Sequence, residues 1–223
     1  MPSPEDVVAT FWRGLNDGSF LVGVAVSMRR IAIGYGISVV VGIGLGLAIG
    51  RFPLLEDTVG SLVFGLQTIP SICWLPFAIL WFGLSESAIL FVVVMGALLS
   101  IVIATDDGVK NTPPLLIRAG RTMGMRGFAL YLRVVLPSAL PAIISGMKLG
   151  WSFAWRSLMA GELLFVGAGL GHLLTVGRDL NDMSLVIAVM IVIVLVGLFV
   201  DRLIFGVAEQ AIRRRWGLAG AKA

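Results

Sequence analysis

The chain has 223 residues, of which 58% are hydrophobic and 13% are charged. A soluble domain carries about 25% charged residues, so this composition excludes a water-soluble globule and indicates an integral membrane protein. The net charge of +4 favours basic loops that fix topology over nucleic-acid binding, because no stripe of basic and aromatic residues lies outside the apolar segments.

Residues 1–24 are predicted to form an interfacial segment. Residues 2–19 have one apolar helical face, made by Val7, Val8, Phe11, Trp12 and Leu15. Such a face suits a helix that lies in the membrane interface, with its tryptophan at the depth of the headgroups. A loosely ordered tail is the alternative.

The first membrane span is predicted at about Ile31 to Gly50, since about 20 apolar residues cross a bilayer core. Small residues recur at every fourth position of this span, at Gly34, Ser38, Gly42, Gly46 and Gly50. A stripe of small residues lets a second helix approach closely. That helix could belong to the same chain or to another subunit, and the pattern favours packing within the chain.

The second span is predicted at about Val59 to Gly83, with interruptions at Pro70 and Pro76. Each proline removes a backbone donor and clashes with the preceding turn. A membrane tolerates such a break where it is buried in protein or lines an aqueous cavity. Gln67 and Ser71 share a face beside the break, so they are candidates for lining a solute pathway. Packing of the kink against a neighbouring helix is the alternative.

Three more spans are predicted at about Ala88 to Ala104, Leu140 to Leu164 and Leu185 to Val200. The fourth span is the least apolar. Lys148, Ser152 and Arg156 recur on one of its faces, with Trp151 and Trp155 beside them. Charges within a bilayer usually face a bundle interior or an aqueous cavity. The pattern therefore predicts a basic lining for an anionic or polar solute, and an intramembrane ion pair of Arg156 with Glu162 is the alternative.

The run from Leu116 to Pro137 interrupts the apolar pattern between the third and fourth spans. Its arginines and glycines alternate with apolar residues, and they are Arg118, Arg121, Arg126, Arg133, Gly120, Gly124 and Gly127. We predict a short water-facing helix and turn within residues 112–136. Its position between two spans suits an element on which another protein docks.

Five spans place the two termini on opposite sides of the membrane. With residues 112–136 and the tail 207–223 in the cytoplasm, ten basic residues lie inside and four lie outside, in agreement with the positive-inside rule. The inside set is Arg51, Lys110, Arg118, Arg121, Arg126, Arg133, Arg213, Arg214, Arg215 and Lys222. The outside set is Arg13, Arg29, Arg30 and Arg178.

The sequence has no Gly-x-x-x-x-Gly-Lys-Ser/Thr loop and no cluster typical of metal ligands or nucleophilic catalysis. We therefore expect no enzymatic activity and no metal in this chain. Uphill transport would then draw its energy from a partner or from an ion gradient. A self-sufficient secondary transporter or channel is the alternative, although no convincing internal repeat is present.

Arg118-Ala119-Gly120, Gly124 and Val134-Val135-Leu136-Pro137 have a spacing that resembles the cytoplasmic signature of ABC importer permeases. That signature is Glu-Ala-Ala, three residues, Gly, nine residues and Ile-x-Leu-Pro. This chain departs from it at Arg118, Gly120 and Val134, and Arg118 reverses the charge at the expected coupling surface. Leu75-Pro76 and the runs 79–83, 160–164 and 169–171 resemble the nitrate, taurine and sulfonate branch.

The resemblance implies an all-α type I importer permease, a single transmembrane domain over residues 1–223 with about five transmembrane helices and a cytoplasmic coupling helix. Members of the branch usually carry one more span before Pro2-Ser3-Pro4, so this member is expected either to be trimmed or to work with five. The residues implied to couple to an ATPase are Arg118, Ala119, Gly120, Met123, Gly124, Leu136 and Pro137. The residues predicted to line the pathway are Gln67, Ser71, Lys148, Ser152, Trp155 and Arg156.

The partners that the resemblance implies are ABC ATPase subunits, a second permease copy and a periplasmic or lipid-anchored solute-binding protein. ATP and Mg would be bound by the ATPase, and no nucleic acid is expected. The implied location is the bacterial inner membrane with a cytoplasmic C-terminus. The expected solute is a small anion such as a sulfonate, taurine, nitrate or bicarbonate, with a vitamin precursor as the alternative.

Overall fold

A computed structural model describes residues 2–165 and 167–207, and within them it contains nine helices and no strand. In chain order they are α1 Pro4–Asn16, α2 Ser19–Ile49, α3 Pro53–Gln67, α4 Ser71–Phe82, α5 Glu86–Lys110, α6 Pro114–Thr122, α7 Gly127–Leu164, α8 Leu170–Asp179 and α9 Met183–Phe205. Single π-helical turns occur at Glu56–Gly60, Tyr131–Val135 and Asp201–Phe205. The predicted all-α class is confirmed.

Four of the described helices, α2, α5, α7 and α9, are long and apolar enough to cross a membrane. The broken pair α3 and α4 makes a fifth if it counts as one span, which confirms the prediction of about five. Pro70 lies at the break in an extended conformation, with φ −53° and ψ 134°. Pro76 does not break the chain, because it lies in the first α-helical turn of α4, where a missing N–H costs no hydrogen bond.

Two span boundaries differ from the sequence prediction. Helix α2 begins at Ser19 rather than near Ile31, so Arg29 and Arg30 lie within the helix and not before it. Helix α7 begins at Gly127 rather than near Leu140. In both cases the apolar window stops at arginines through which the helix continues, and in α2 the side chains of Arg29 and Arg30 have carboxylate partners.

The chain divides into two compact units. Among the described residues, the first unit comprises residues 2–36, 70–96, 152–165 and 167–203, and the second comprises residues 37–69, 97–151 and 204–207. The predicted basic tail, which contains Arg213, Arg214, Arg215 and Lys222, lies outside the described residues.

The first unit has a core in which Phe20 and Leu170 are fully buried together with residues of α9, namely Ala188, Val189 and Val192. The apolar face of α1 packs on this core through Val7, Phe11 and Leu15, whereas Val8 and Trp12 stay exposed. Ser3 opens α1 by a capping box with Asp6, and the hydrogen bonds from Ser3 hold the pKa of the Asp6 carboxyl below its usual range. The N-terminal residues therefore form an ordered helix.

The stripe of small residues on α2 packs against α5. In the second unit, an added Cβ at Gly42 would lie 2.9 Å from Ile101 Cγ2, and one at Gly46 would lie 2.6 Å from the Val102 carbonyl oxygen. In the first unit, an added Cβ at Gly34 would lie 2.7 Å from Val93 Cγ1. Only glycine permits backbones this close, so the stripe serves packing within the chain, as the sequence favours.

Candidate coupling and transport sites

The segment between α6 and α7 is closed by a Schellman motif. The Gly124 N–H donates to the Arg121 carbonyl at 3.0 Å, and the Met125 N–H donates to the Gly120 carbonyl at 3.0 Å. These bonds satisfy two carbonyls at the end of α6, and they require a left-handed residue in between. Gly124 supplies it with φ +81°. The glycine of the signature is thus explained by backbone geometry.

Helix α6 is seated against the beginning of α7 through Gly120. Gly120 is the buried residue of α6, and an added Cβ would lie 2.6 Å from Leu130 Cδ1 and 3.0 Å from Val134 Cγ2. This close approach fixes which face of α6 points inward. Ile117 and Gly120 face the protein, and the opposite face stays open.

The open face of α6 carries Leu115, Arg118, Ala119 and Met123, all of which are exposed. Leu115 is 76% exposed and Met123 is 68% exposed. We call these four residues the coupling face. A rigid short helix with apolar side chains around one cation is suited to bind a groove on another protein, in the manner of other amphipathic helices.

Two further residues of the predicted coupling set lie in α7 and not on the coupling face. Leu136 packs against a buried cluster of the second unit that includes Val109, Val135 and Ile143. The Leu136 N–H donates to the Tyr131 carbonyl, five residues earlier, and closes a π-helical turn. Pro137 follows directly and has no N–H to donate. The Leu-Pro end of the signature therefore shapes the start of α7.

A cavity of about 530 Å³ lies on the inner side of α6. The guanidinium-bearing residues Arg51, Arg121 and Arg126 line it, together with Tyr131. The Tyr131 hydroxyl donates to the Leu47 carbonyl at 2.7 Å, in the last turn of α2. The segment around α6 is thus tied to the end of α2.

The predicted pathway residues fall in both units, and each unit is described by itself. In the second unit, Gln67 Nε2 donates to Ser100 Oγ at 3.1 Å, and Lys148 is half-buried. In the first unit, Arg156 Nε donates to the Ser152 carbonyl at 3.1 Å. The Arg156 guanidinium also lies 4.9 Å from the centre of the Phe153 ring, and its side chain is exposed.

Two members of the predicted pathway set have other surroundings. Ser71 is half-buried in the 3₁₀ turn that opens α4. Trp155 packs on the core of the first unit, close to Gly197 of α9. Ser152 and Arg156 are the other members of the predicted pathway set on that stretch of α7.

The first unit contains a buried charged cluster that the sequence analysis does not predict. Glu162 is 1% exposed, and its carboxylate accepts hydrogen bonds from Arg30 Nη1 at 2.9 Å, from Ser27 Oγ at 2.8 Å and from the Gly171 N–H at 3.0 Å. Arg30 also donates to the Ala168 carbonyl and to Glu86 Oε1, at 2.8 and 3.1 Å. The suggested ion pair of Arg156 with Glu162 is therefore wrong: Glu162 pairs with Arg30.

One signal in the sequence points to this cluster. Glu162 is an acid within a predicted span, and such a residue requires a partner because an isolated charge in a membrane is costly. The sequence does not indicate Arg30 as that partner, because the first span is predicted to begin after Arg30. Because α2 begins at Ser19, Arg30 lies in the same helix as the first predicted span, where it pairs with Glu162.

No group of three or more His, Cys, Asp or Glu side chains capable of holding a metal ion occurs among residues 2–165 and 167–207. Cys73 is a free, exposed thiol.

Comparisons with known proteins agree on one family. Residues 38–214 match the family profile described as binding-protein-dependent transport system inner membrane component. The chain is 33% identical over 216 residues to the aliphatic sulfonates transport permease protein SsuC of Escherichia coli, covering 97% of this chain and 80% of that protein. It is 36% identical over 189 residues to an ABC transporter permease protein of Methanocaldococcus jannaschii, covering 84% and 71%.

A nitrate permease and a solved transporter structure are also similar to this chain. The nitrate import permease protein NrtB of Leptolyngbya laminosa is 30% identical over 207 residues, covering 92% of this chain and 74% of that protein. Among solved structures, a chain of the MetNI methionine ABC transporter in an inward-facing conformation superposes with a TM-score of 0.74 at 19% identity, covering 88% of this chain and 95% of the other. That likeness supports the fold.

Proposed function

This chain belongs to the binding-protein-dependent transport system inner membrane component family, whose members are the permease subunits of ABC importers, and on that premise we propose how it couples and what it carries. We propose that the coupling face docks into a groove of a separate ATPase subunit, which binds ATP and Mg. The observation that carries this proposal is a short helix held on its inner side by Gly120 and closed by Gly124, with its apolar outer side exposed.

Because of Arg118, the proposed docking groove on the ATPase needs a negative charge. The family signature has a glutamate at this position, whereas this chain has a cation in the middle of the coupling face. A groove that accepts this face should present a carboxylate to Arg118, because an unpaired buried charge costs several kcal/mol, roughly 3–5 when one partner is missing. Arg118→Glu should therefore weaken binding of the cognate ATPase, although it matches the signature.

The docking proposal is tested by co-purification of the tagged chain with its co-expressed ATPase subunit. Leu115→Asp should abolish co-purification, because it places a charge in the apolar part of the coupling face. Leu180→Asp is a matched control, since Leu180 is 70% exposed and lies in the turn after α8, in a different compact unit from the coupling face. Equal co-purification of the wild type and Leu115→Asp would refute the proposal.

The solute is proposed to be a small anion of the sulfonate or nitrate class. This proposal is supported by the relatives named for sulfonates and nitrate and by the basic residues Lys148 and Arg156 on α7. Ser71 and Ser152 in the first unit and Gln67 in the second are the further candidates for hydrogen bonds to the solute. Uptake of a sulfonate, of nitrate and of bicarbonate, each compared with an uncharged vitamin precursor, tests it in cells that lack their own importers. Uptake of the precursor alone would overturn it.

The complete assembly is proposed to contain two copies of this chain, two ATPase subunits and an external solute-binding protein, either periplasmic or lipid-anchored. The membrane is proposed to be the inner membrane, with α6 and the C-terminus in the cytoplasm. The charge count supports this orientation in part: when the basic residues within α2, α5 and α7 are left out of both sets, eight basic residues lie inside and two lie outside. Labelling of a cysteine introduced at Met123 from one side of sealed vesicles tests the orientation.

A further inference from the structure

The arginines on the inner side of α6 have no role in the coupling face. Arg51, Arg121 and Arg126 come from three separate places in the chain: the turn after α2, the last turn of α6 and the residue before α7. All three line the same 530 Å³ cavity. Among the residues that the structure describes, no carboxylate lies within ion-pair distance of any of the three.

A second cavity adjoins the basic one. It measures about 420 Å³ and is lined by Leu47, Ala48, Phe52 and Phe128, and it shares Arg51 and Tyr131 with the first. The two cavities thus meet at a cation and a phenol. The first offers three positive charges and the second offers aliphatic and aromatic carbon.

The wall between α6 and α2 that holds these cavities is fixed. The Tyr131 hydroxyl is bonded to the Leu47 carbonyl, so the aromatic ring cannot turn away from the shared edge without losing that bond. Gly50, beside Arg51, packs closely against Val109: a Cβ added to Gly50 would lie 2.8 Å from Val109 Cβ. The Arg51 guanidinium lies 5.8 Å from the centre of the Phe52 ring. Backbone-level packing and the Tyr131 bond thus position the cavities, whereas the side chains of Arg51, Arg121 and Arg126 are exposed and open to a ligand.

We infer that this pair of cavities binds one anionic phospholipid, with its phosphate among Arg51, Arg121 and Arg126 and an acyl chain against Phe52 and Phe128. Three like charges around one cavity repel one another unless an anion joins them. Arg51 follows the last turn of α2, a helix long and apolar enough to cross a membrane, so the cavities lie where that span would meet the headgroup layer. Basic pockets beside transmembrane helices are recognised binding sites for anionic headgroups.

The test is native mass spectrometry of the detergent-purified full chain, without an ATPase, after mixing with equal amounts of phosphatidylglycerol and phosphatidylcholine. The wild type should retain more phosphatidylglycerol than phosphatidylcholine. In the triple variant R51Q/R121Q/R126Q, the amount of phosphatidylglycerol retained should fall by at least about tenfold. Arg118→Gln is the matched control. It removes the same kind of charge from the same helix, but from the outer side, so retention should be unchanged.

A second variant protects the test against a folding defect in the triple variant. Phe128 is 76% exposed, so Phe128→Asn should fold normally. It should reduce retention of phosphatidylglycerol by making the acyl-chain cavity polar, while every guanidinium group stays in place. Equal retention of the two lipids, or wild-type retention by both variants, would overturn the inference. Displacement of phosphatidylglycerol by millimolar inorganic phosphate would also overturn it, because the site would then bind free anions and not lipid.

Discussion

Arg30 Nη1 lies 2.9 Å from Glu162 Oε1, and both side chains are almost fully buried, at 7% and 1% exposed. The two residues are 132 positions apart, and they join α2 to the end of α7. Ser27 completes the link, since its hydroxyl donates to Glu162 and accepts from the Leu170 N–H at 3.0 Å. The first unit is therefore held together by an ionic cluster as well as by its apolar core.

The first prediction concerns that ion pair. Arg30→Met should lower the free energy of unfolding by about 3–5 kcal/mol, because it leaves the Glu162 carboxylate buried without its cation. The double variant R30M/E162M should recover at least half of the loss. Reversible unfolding in mixed detergent micelles, followed by tryptophan fluorescence, measures both.

The neighbouring arginine provides the control for this prediction. Arg29 also pairs with Glu86, at 3.1 Å, but both side chains are more than half exposed. Arg29→Met should change the free energy of unfolding by no more than about 1 kcal/mol. If Arg30→Met costs no more than Arg29→Met, the cluster does not stabilise the fold as described.

The second prediction concerns the turn after α6. Gly124→Ala should destabilise this turn by about 1–2 kcal/mol, because a Cβ is disfavoured at φ +81° even where the space around it is empty. Gly124→Asn should cost less, since asparagine tolerates the left-handed region better. Hydrogen exchange of residues 114–127 measures the effect. Gly65→Ala is the control, because Gly65 lies within α3 and an added Cβ there also meets no neighbour; it should leave hydrogen exchange of residues 114–127 unchanged. An equal rise in the exchange rate in both variants would contradict the explanation.

The third prediction concerns the seat of α6. Gly120→Val should lower stability by about 1–3 kcal/mol through overpacking against Leu130 and Val134. Gly120→Ala should cost less, because the end of the Leu130 side chain can rotate away, and alanine is the residue that the family signature has here. The double variant G120V/L130A should regain part of the loss. Thermal unfolding in detergent measures these changes, and strict additivity of the two substitutions would argue against direct contact.

The fourth prediction concerns the solute pathway. Lys148→Ala and Arg156→Ala should each raise the solute concentration for half-maximal uptake by about tenfold, which corresponds to the loss of one charge-assisted hydrogen bond. Arg156→Lys should restore only part of the affinity, because lysine keeps the charge but loses the planar stacking on Phe153. Arg178→Ala, at an exposed ion pair with Asp179, is the control. Unchanged uptake by both alanine variants would remove these residues from the pathway.

The sequence predicts most of the architecture because membrane spans depend on composition along short windows. The break at Pro70, the packing role of the small residues on α2 and the short helix between the third and fourth spans are all readable from local patterns. The signature also singles out Gly124, and the structure shows that a left-handed turn requires a glycine there.

The features that the sequence does not predict are contacts between residues far apart in the chain and the direction in which a side chain points from its helix. Nothing local joins Arg30 to Glu162, and the apolar window that misplaces the start of α2 conceals Arg30. Likewise, Arg118 and Arg121 are equivalent in the sequence, yet one lies on the coupling face and the other lines a cavity. The distinction arises from Gly120, whose missing side chain decides which side of α6 turns toward Leu130.

The bond from the Tyr131 hydroxyl to the Leu47 carbonyl has a mechanical consequence. Leu47 lies in the last turn of α2, where carbonyls have no partner within the helix, so the phenol supplies what the helix itself lacks. The bond therefore links the beginning of α7 directly to the end of α2. Removal of this one hydroxyl would therefore alter the connection between the two helices without changing any residue predicted to contact the solute.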